Sequence, residues 1–245
     1  MTGVAAEWRR LQRDGGVVML DGFHALKHAL RFDARILLAV TDDPDGVRQL
    51  ADRLAPDVAD RLSGHLVVTE DFPALVPRSH PTRVAALAAR PPQELLRARL
   101  FAPDRRTPVV VLDNPRHLGN IGAVVRLAAG FGTAGVLTTG SADPWHPSVL
   151  RGAAGLHFAT AVARVEAGEL PDGPVHLLDP GGEDLRSVAI PDDAVLVFGS
   201  ERYGISPALR SGAHRRVAIP MHPKVSSYNL ATSVAMTLFH WASTR

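Results

Sequence analysis

The chain has 245 residues, of which 46% are hydrophobic and 21% charged, the balance of an ordinary globular protein with enough apolar material for a core. It contains no cysteine, which excludes disulfides, thiolate metal sites and cysteine nucleophiles. The formal charge is +2, and Lys27 and Lys224 are the only lysines among the cations. Arginine suits forked contacts to phosphate, so this balance leans toward nucleic acid, although a GC-rich genome would produce the same bias.

In chain order, residues 17–20 form a short apolar run that ends in Asp21-Gly22. Residues 23–30 then carry Phe23, Leu26, Ala29 and Leu30 at helical spacing. Residues 36–40 read as a strand. Residues 45–62 read as one helix, with Val47, Leu50, Leu54 and Val58 on a common face. A strand over 66–68, a short helix over 72–76 and a strand over 84–88 complete an alternating α/β unit. Arg90-Pro91-Pro92 breaks the pattern, and 93–100 is a candidate connecting helix. The boundaries expected from this are residues 1–92, a linker over 93–106, and residues 107–245.

The second half opens on residues 109–112, a continuous apolar run of the kind that forms a buried parallel strand. A helix is predicted over 121–131, a strand over 135–138, and a helical start to 147–156. Strands follow over 175–178 and 194–198, with a short helix over 207–211, a strand over 216–219 and a final helix over 228–241. No apolar run approaches the roughly 20 residues of a membrane span. Residues 1–13 are polar and lack the apolar stretch of a secretory leader. The expectation is a cytoplasmic protein.

Three segments each put polar residues and glycines just after an apolar strand, the usual place for ligands in parallel α/β sheets. The first runs from Asp113 through Gly119, Asn120, Ile121, Gly122 and Ala123 to Arg126. The second is Leu196-Val197-Phe198-Gly199-Ser200-Glu201, continuing to Gly204. The third is Ile219-Pro220-Met221 followed by Ser226-Ser227-Tyr228-Asn229-Leu230. Taken singly, each also fits an ordinary turn or helix cap.

Together, in this order, they resemble the motifs of the TrmH/SpoU family of RNA ribose 2′-O-methyltransferases in the SPOUT superfamily, over about residues 107–243. Leu20-Asp21-Gly22-Phe23 through Lys27, with His80-Pro81 and Val84 through Leu87, is similar to the L30e-like RNA-binding domain that precedes many such enzymes. The resemblance implies an α/β fold: a small L30e-like domain, then a trefoil-knot domain on a parallel sheet. It also implies S-adenosylmethionine as cofactor, structured RNA (ribosomal or transfer) as substrate, and a homodimer whose pairing completes the site.

Carried over by position, the catalytic candidates are Asn120, Arg126, Glu201, Ser227 and Asn229. The cofactor-binding candidates are Leu196, Gly199, Ser200, Ile219, Met221, Tyr228 and Leu230. The family usually has Leu where this chain has Tyr228, Ser is frequent at the position of Ala153, and a Glu is common near Phe239-His240-Trp241. Family proposals make the arginine a base, but a guanidinium does not lose its proton in proteins. A phosphate-holding role for Arg126 is better chemistry. The eleven histidines show no metal-ligand spacing, and no metal is expected. A dinucleotide-binding fold is disfavoured because no G-x-G-x-x-G follows a strand. The remaining alternative is a non-catalytic RNA-binding protein on a degenerate methyltransferase scaffold.

Overall fold

A computed structural model describes residues 3–77, 79–212 and 214–245. The chain divides into two compact units. One comprises Met1–Pro92 with Ala154–Ala159, and the other Gln93–Ala153 with Thr160–Arg245.

The first unit carries a four-stranded mixed sheet in the order β1 (Val17–Asp21), β4 (Val84–Ala89), β2 (Ile36–Thr41), β3 (Leu66–Val68). The β1–β4 and β2–β4 pairs are antiparallel and the β2–β3 pair is parallel. Helix α2 (Phe23–Arg31) buries Phe23, Leu26, Ala29 and Leu30, the residues whose spacing predicts it. The single helix expected over 45–62 is two: α3 (Pro44–Leu54) and α4 (Ala59–His65), with a short 3-10 turn between them. Pro56 is the cause. A proline has no N–H to donate and pushes its predecessor out of the helical region, and Ala55 indeed lies outside it, at φ −156° and ψ 52°.

Helix α1 (Val4–Gln12) lies outside the elements expected from the sequence. It buries only Trp8 and Leu11. Those two side chains pack against Val40, Leu87 and the short helix α5 (Phe72–Leu75).

The second unit is a six-stranded sheet in the order β10 (Arg215–Ala218), β8 (Val175–Asp184), β9 (Val195–Phe198), β5 (Val109–Leu112), β6 (Gly135–Thr138), β7 (Ala161–Arg164). Every pairing is parallel. The four residues of β5 are fully buried, which explains their unbroken apolar run: a parallel strand covered on both faces has no polar side. Strand β7 lies outside the expected elements. Strand β8 runs on to Asp184, past the four residues expected. Helix α6 (Gln93–Leu100), within the expected linker, packs on β7 and β6.

Helix α7 (Leu118–Phe131) starts just beyond β5, and α10 (Leu230–Ser243) closes the chain and packs against α7. Gly122 of the first motif faces helix α8 (Pro147–Gly152). A Cβ there would lie 2.7 Å from the Val149 carbonyl oxygen and 2.9 Å from the Gly152 Cα. This glycine permits close helix packing.

The strand order also locates the site. The chain leaves β5 through β6 to one edge, then returns to build β8 and β9 on the other side. Strands β5 and β9 therefore lie adjacent at the point where the order reverses, with Leu112 paired to Phe198. Ligands bind beyond the carboxyl ends of strands at such a switch point.

Candidate active site

Beyond the paired ends of β5 and β9 lies a cavity of about 640 Å³, within the range typical of small-molecule sites. It belongs wholly to the second unit. The first segment contributes His117 and Asn120. The middle of β8 contributes Leu178, Asp179 and Pro180. The second segment contributes Phe198 through Glu201 with Gly204 and Ile205, and the third contributes Ile219, Met221 and residues 226–230.

Local sequence shapes each wall. The Asp113 N–H donates to the Phe198 carbonyl at 2.8 Å, extending the β5–β9 ladder by one rung. The Asp113 carboxylate is only 2% exposed and ties three loops together. It accepts the Thr139 hydroxyl at 2.8 Å and the Ser206 N–H at 2.6 Å. The second segment then folds into a tight hairpin. Ser200 and Gly204 exchange backbone hydrogen bonds at 3.0 Å in both directions. A Cβ on Gly199 would sit 2.2 Å from the Gly204 carbonyl carbon, and Gly204 itself takes φ +65°. Both positions therefore demand glycine.

The polar residues form a directed chain. The Asn229 side-chain oxygen caps α10 by accepting the N–H groups of Ala231 (2.9 Å) and Thr232 (3.4 Å). Its amide nitrogen is thereby left to donate to Asn120 Oδ1 at 3.1 Å. Asn120 Nδ2 in turn donates to Glu201 Oε1 at 2.8 Å. Each amide orientation follows from the one before. Partial burial pushes the Glu201 carboxyl up, but the Asn120 hydrogen bond, backbone N–H groups including that of Arg116, and the nearby His117 outweigh it. The net effect holds Glu201 below the ordinary glutamate value. Glu201 is therefore ionised at neutral pH and can only accept.

A second carboxylate closes the far wall. Asp179 pairs with Arg216 at 2.7 Å and Arg210 at 3.0 Å, and it accepts the Gly181 N–H at 2.9 Å. Burial raises its carboxyl, and these partners together lower it further, to a net value below the usual range. Arg210 also donates to the Ile205 carbonyl at 2.9 Å, bracing the hairpin. Sequence reading misses Leu178, Asp179, Pro180 and Arg210. The unexpected length of β8 conceals the first three, and an arginine on a short surface helix (α9, Pro207–Arg210) carries no distinguishing pattern.

Of the twelve residues proposed from sequence, ten line this cavity: Asn120, Gly199, Ser200, Glu201, Ile219, Met221, Ser227, Tyr228, Asn229 and Leu230. Two do not. Leu196 is fully buried inside β9. Arg126 lies two turns along α7 from Asn120, exposed to solvent. The Tyr228 hydroxyl donates to the Pro220 carbonyl at 3.2 Å, which turns the ring toward the 219–221 strap.

The donor set suits an adenosine-bearing cation. Leu178, Ile219, Met221 and Leu230 offer apolar walls for a flat base, and Glu201 sets a negative charge in the same cavity, whereas the charge of Asp179 is met by Arg210 and Arg216. Among the described residues, no three His, Asp or Glu side chains are grouped to hold a metal ion. No helix among them is long and apolar enough to cross a membrane.

Comparison with known proteins agrees with this reading. Residues 107–239 match the SpoU rRNA Methylase family. Across 96% of its length the chain is 23% identical to the Bacillus subtilis 23S rRNA (guanosine(2553)-2′-O)-methyltransferase RlmP, covering 94% of that protein. The crystal structure of the SpoU methyltransferase AviRb from Streptomyces viridochromogenes, in complex with the cofactor AdoMet, matches with a TM-score of 0.75 at 20% identity. That match covers 98% of this chain and 97% of the other. An AdoMet-bound rRNA methyltransferase from Sinorhizobium meliloti matches at 0.76 and 22% identity, over 100% and 97%. These structural likenesses show a shared fold. The family match spans all three segments that build the cavity, and the chain belongs to the SpoU rRNA methylase family.

Proposed function

We propose that this protein transfers a methyl group from S-adenosylmethionine to the 2′-hydroxyl of a ribose in structured ribosomal RNA. The observation that carries this reading is the hydrogen-bonded chain Asn229–Asn120–Glu201, which joins residues from three distant segments at one cavity. Membership of the SpoU family and the activity in the name of the B. subtilis relative support it.

When bound, S-adenosylmethionine supplies an electrophilic methyl group. Gly199, Ile219, Met221, Tyr228 and Leu230 would hold its adenosine part. Asn120, Ser227 and Asn229 would position the ribose. Positioning of this kind supplies much of the acceleration in a transfer between two bound reactants. Glu201, ionised and fixed by Asn120, holds that amide in one orientation.

Arg126 does not line the cavity of its own chain. This supports a homodimer in which a second copy completes the site, with Arg126 gripping a phosphate beside the target ribose and stabilising charge on its oxygen. In this reading residues 107–245 carry the chemistry, residues 1–92 form an L30e-like RNA-holding domain joined through 93–106, and the protein works in the cytoplasm. A non-catalytic RNA-binding scaffold is not favoured, because ten candidate residues line one cavity.

The test is transfer of labelled methyl from S-adenosylmethionine to ribosomal RNA from cells lacking the gene. The expected product is one 2′-O-methylated nucleotide, lost when that nucleotide is 2′-deoxy. Base methylation, or no transfer with the donor bound, would count against the proposal. Sedimentation should show a dimer.

A further inference from the structure

The hairpin that carries Glu201 has a second face. Its backbone is closed by the Ser200–Gly204 exchange, and the Tyr203 N–H donates to the Ser200 hydroxyl at 3.2 Å. The Arg210–Ile205 bond braces its base. On this hydrogen-bonded turn Glu201 reaches Asn120, while the next two side chains stand in solvent. The Tyr203 ring is 68% exposed, and the Arg202 guanidinium lies over it, 5.3 Å from the ring centroid.

The chain has only two tyrosines. The other, Tyr228, is 40% exposed and lines the cavity, whereas Tyr203 stands outside it, two residues along the hairpin from Glu201. Neither ring is used in a core.

A ribose 2′-hydroxyl in an A-form helix is displayed in the shallow minor groove, but its nucleotide is held by stacking and pairing. To enter a cavity of this depth, the nucleotide must leave its stack, at a cost that a replacement stacking partner offsets. An exposed aromatic ring beneath a guanidinium is such a partner, and it accepts any base because every base has a π-face. We propose that Arg202 and Tyr203 form a stacking platform for a nucleobase of single-stranded RNA, either the base of the target nucleotide or that of its immediate neighbour. This rests on the RNA-methylation reading above and adds how the substrate is held. The platform supplies affinity without base identity, so it sets where the chain can act (an unstacked loop or bulge) more than which base it accepts.

The experiment compares the full-length protein with Tyr203→Ala, Tyr203→Phe and Arg202→Ala. Five quantities are measured: calorimetric affinity for S-adenosylmethionine, affinity for a fluorescein-labelled unstructured decaribonucleotide of mixed sequence, KM and kcat for ribosomal RNA, and oligomeric state. Tyr203→Ala should weaken decamer binding and raise the RNA KM about five- to hundredfold. Donor affinity should stay within about twofold, and Tyr203→Phe should restore RNA binding. Arg202→Ala should give a smaller loss, about two- to fivefold.

The proposal is overturned if Tyr203→Ala binds the decamer and methylates as the parent does. It is equally overturned if donor affinity falls in parallel, or if the variant becomes monomeric, which would make this face a contact between two copies. If the parent binds the decamer through Tyr203 but methylates no ribosomal RNA, the platform stands and the reading of its reaction fails.

Discussion

The two sheets of this molecule treat their strand ends differently. In the mixed sheet of the first unit, β1 and β2 run opposite to β4, so the carboxyl ends of its strands are divided between two edges. In the second unit all six strands are parallel, so the loops that follow β5, β8, β9 and β10 emerge on one side. The loops after β5, β9 and β10, the helix starts they feed and the middle of β8 build the cavity. A parallel sheet gathers side chains that are distant in sequence, whereas a mixed sheet of this size does not. The cavity therefore sits in the second unit.

That contrast can be broken experimentally. The largest effect is expected at Asn120, the centre of the polar chain. Asn120→Ala removes both the bond to Glu201 and the bond from Asn229. Methyl transfer should fall about a hundredfold or more through lost positioning, with donor affinity within about threefold. An equal loss in donor affinity would show that Asn120 binds the donor and does not position the ribose.

Next comes Asp113, which ties the loops after β5, β6 and β9. Asp113→Ala leaves the Thr139 hydroxyl and the Ser206 N–H without their buried partner, and should cost about 1.5–3 kcal/mol. Denaturant unfolding measures the loss. Amide exchange should place the opening in the loops around the cavity, with the protection of β1, β2 and β4 unchanged. A uniform loss across both units would mean that the two do not open independently.

A smaller effect concerns acid. Burial pushes the His176 and His28 imidazoles below the ordinary value of 6.5, and the bonds to Pro174 and Ala154 only partly offset this. Each ring is therefore neutral when folded at neutral pH. The stability this represents is complete above that ordinary value and is lost as pH falls through the lowered folded values. The melting temperature should drop between about pH 7 and about pH 5, and less steeply in His176→Gln. Glu201 behaves in the same sense at lower pH, since its folded value is depressed. Its contribution is complete above the ordinary carboxylate value and is lost as pH falls from there through the lowered folded one. Any loss of activity on acidification to about pH 6 should accordingly survive Glu201→Gln.

The smallest effect is at Tyr228. Tyr228→Phe removes one hydroxyl bond to the Pro220 carbonyl, worth about 0.5–1.5 kcal/mol. Donor affinity should weaken about two- to tenfold, measured by calorimetry.

Much of the second unit is legible in the sequence because its pattern is coarse and forced. A four-residue apolar run such as 109–112 has few other fates, and the order of the three motifs carries the site. The hairpin is visible through Gly199 and Gly204. Other features leave weaker traces. Helix α1 rests on two buried side chains in a polar segment. The break at Ala55 needs Pro56 to be weighed above the periodicity around it. The carboxylate of Asp179 acquires meaning only through Arg210 and Arg216, which are far from it along the chain, and no local pattern reports such a partnership. The sequence marks Gly122 as a close-approach glycine, but its neighbour is a helix, which sequence does not distinguish from a ligand.

The most direct measurement is a transcriptome-wide map of ribose 2′-O-methylation in cells with the gene, without it, and complemented with either the parent or Asn120→Ala. The account predicts one ribosomal nucleotide that loses its methyl group on deletion and regains it only with the parent. Identical maps in all four strains, or full restoration by Asn120→Ala, would contradict it.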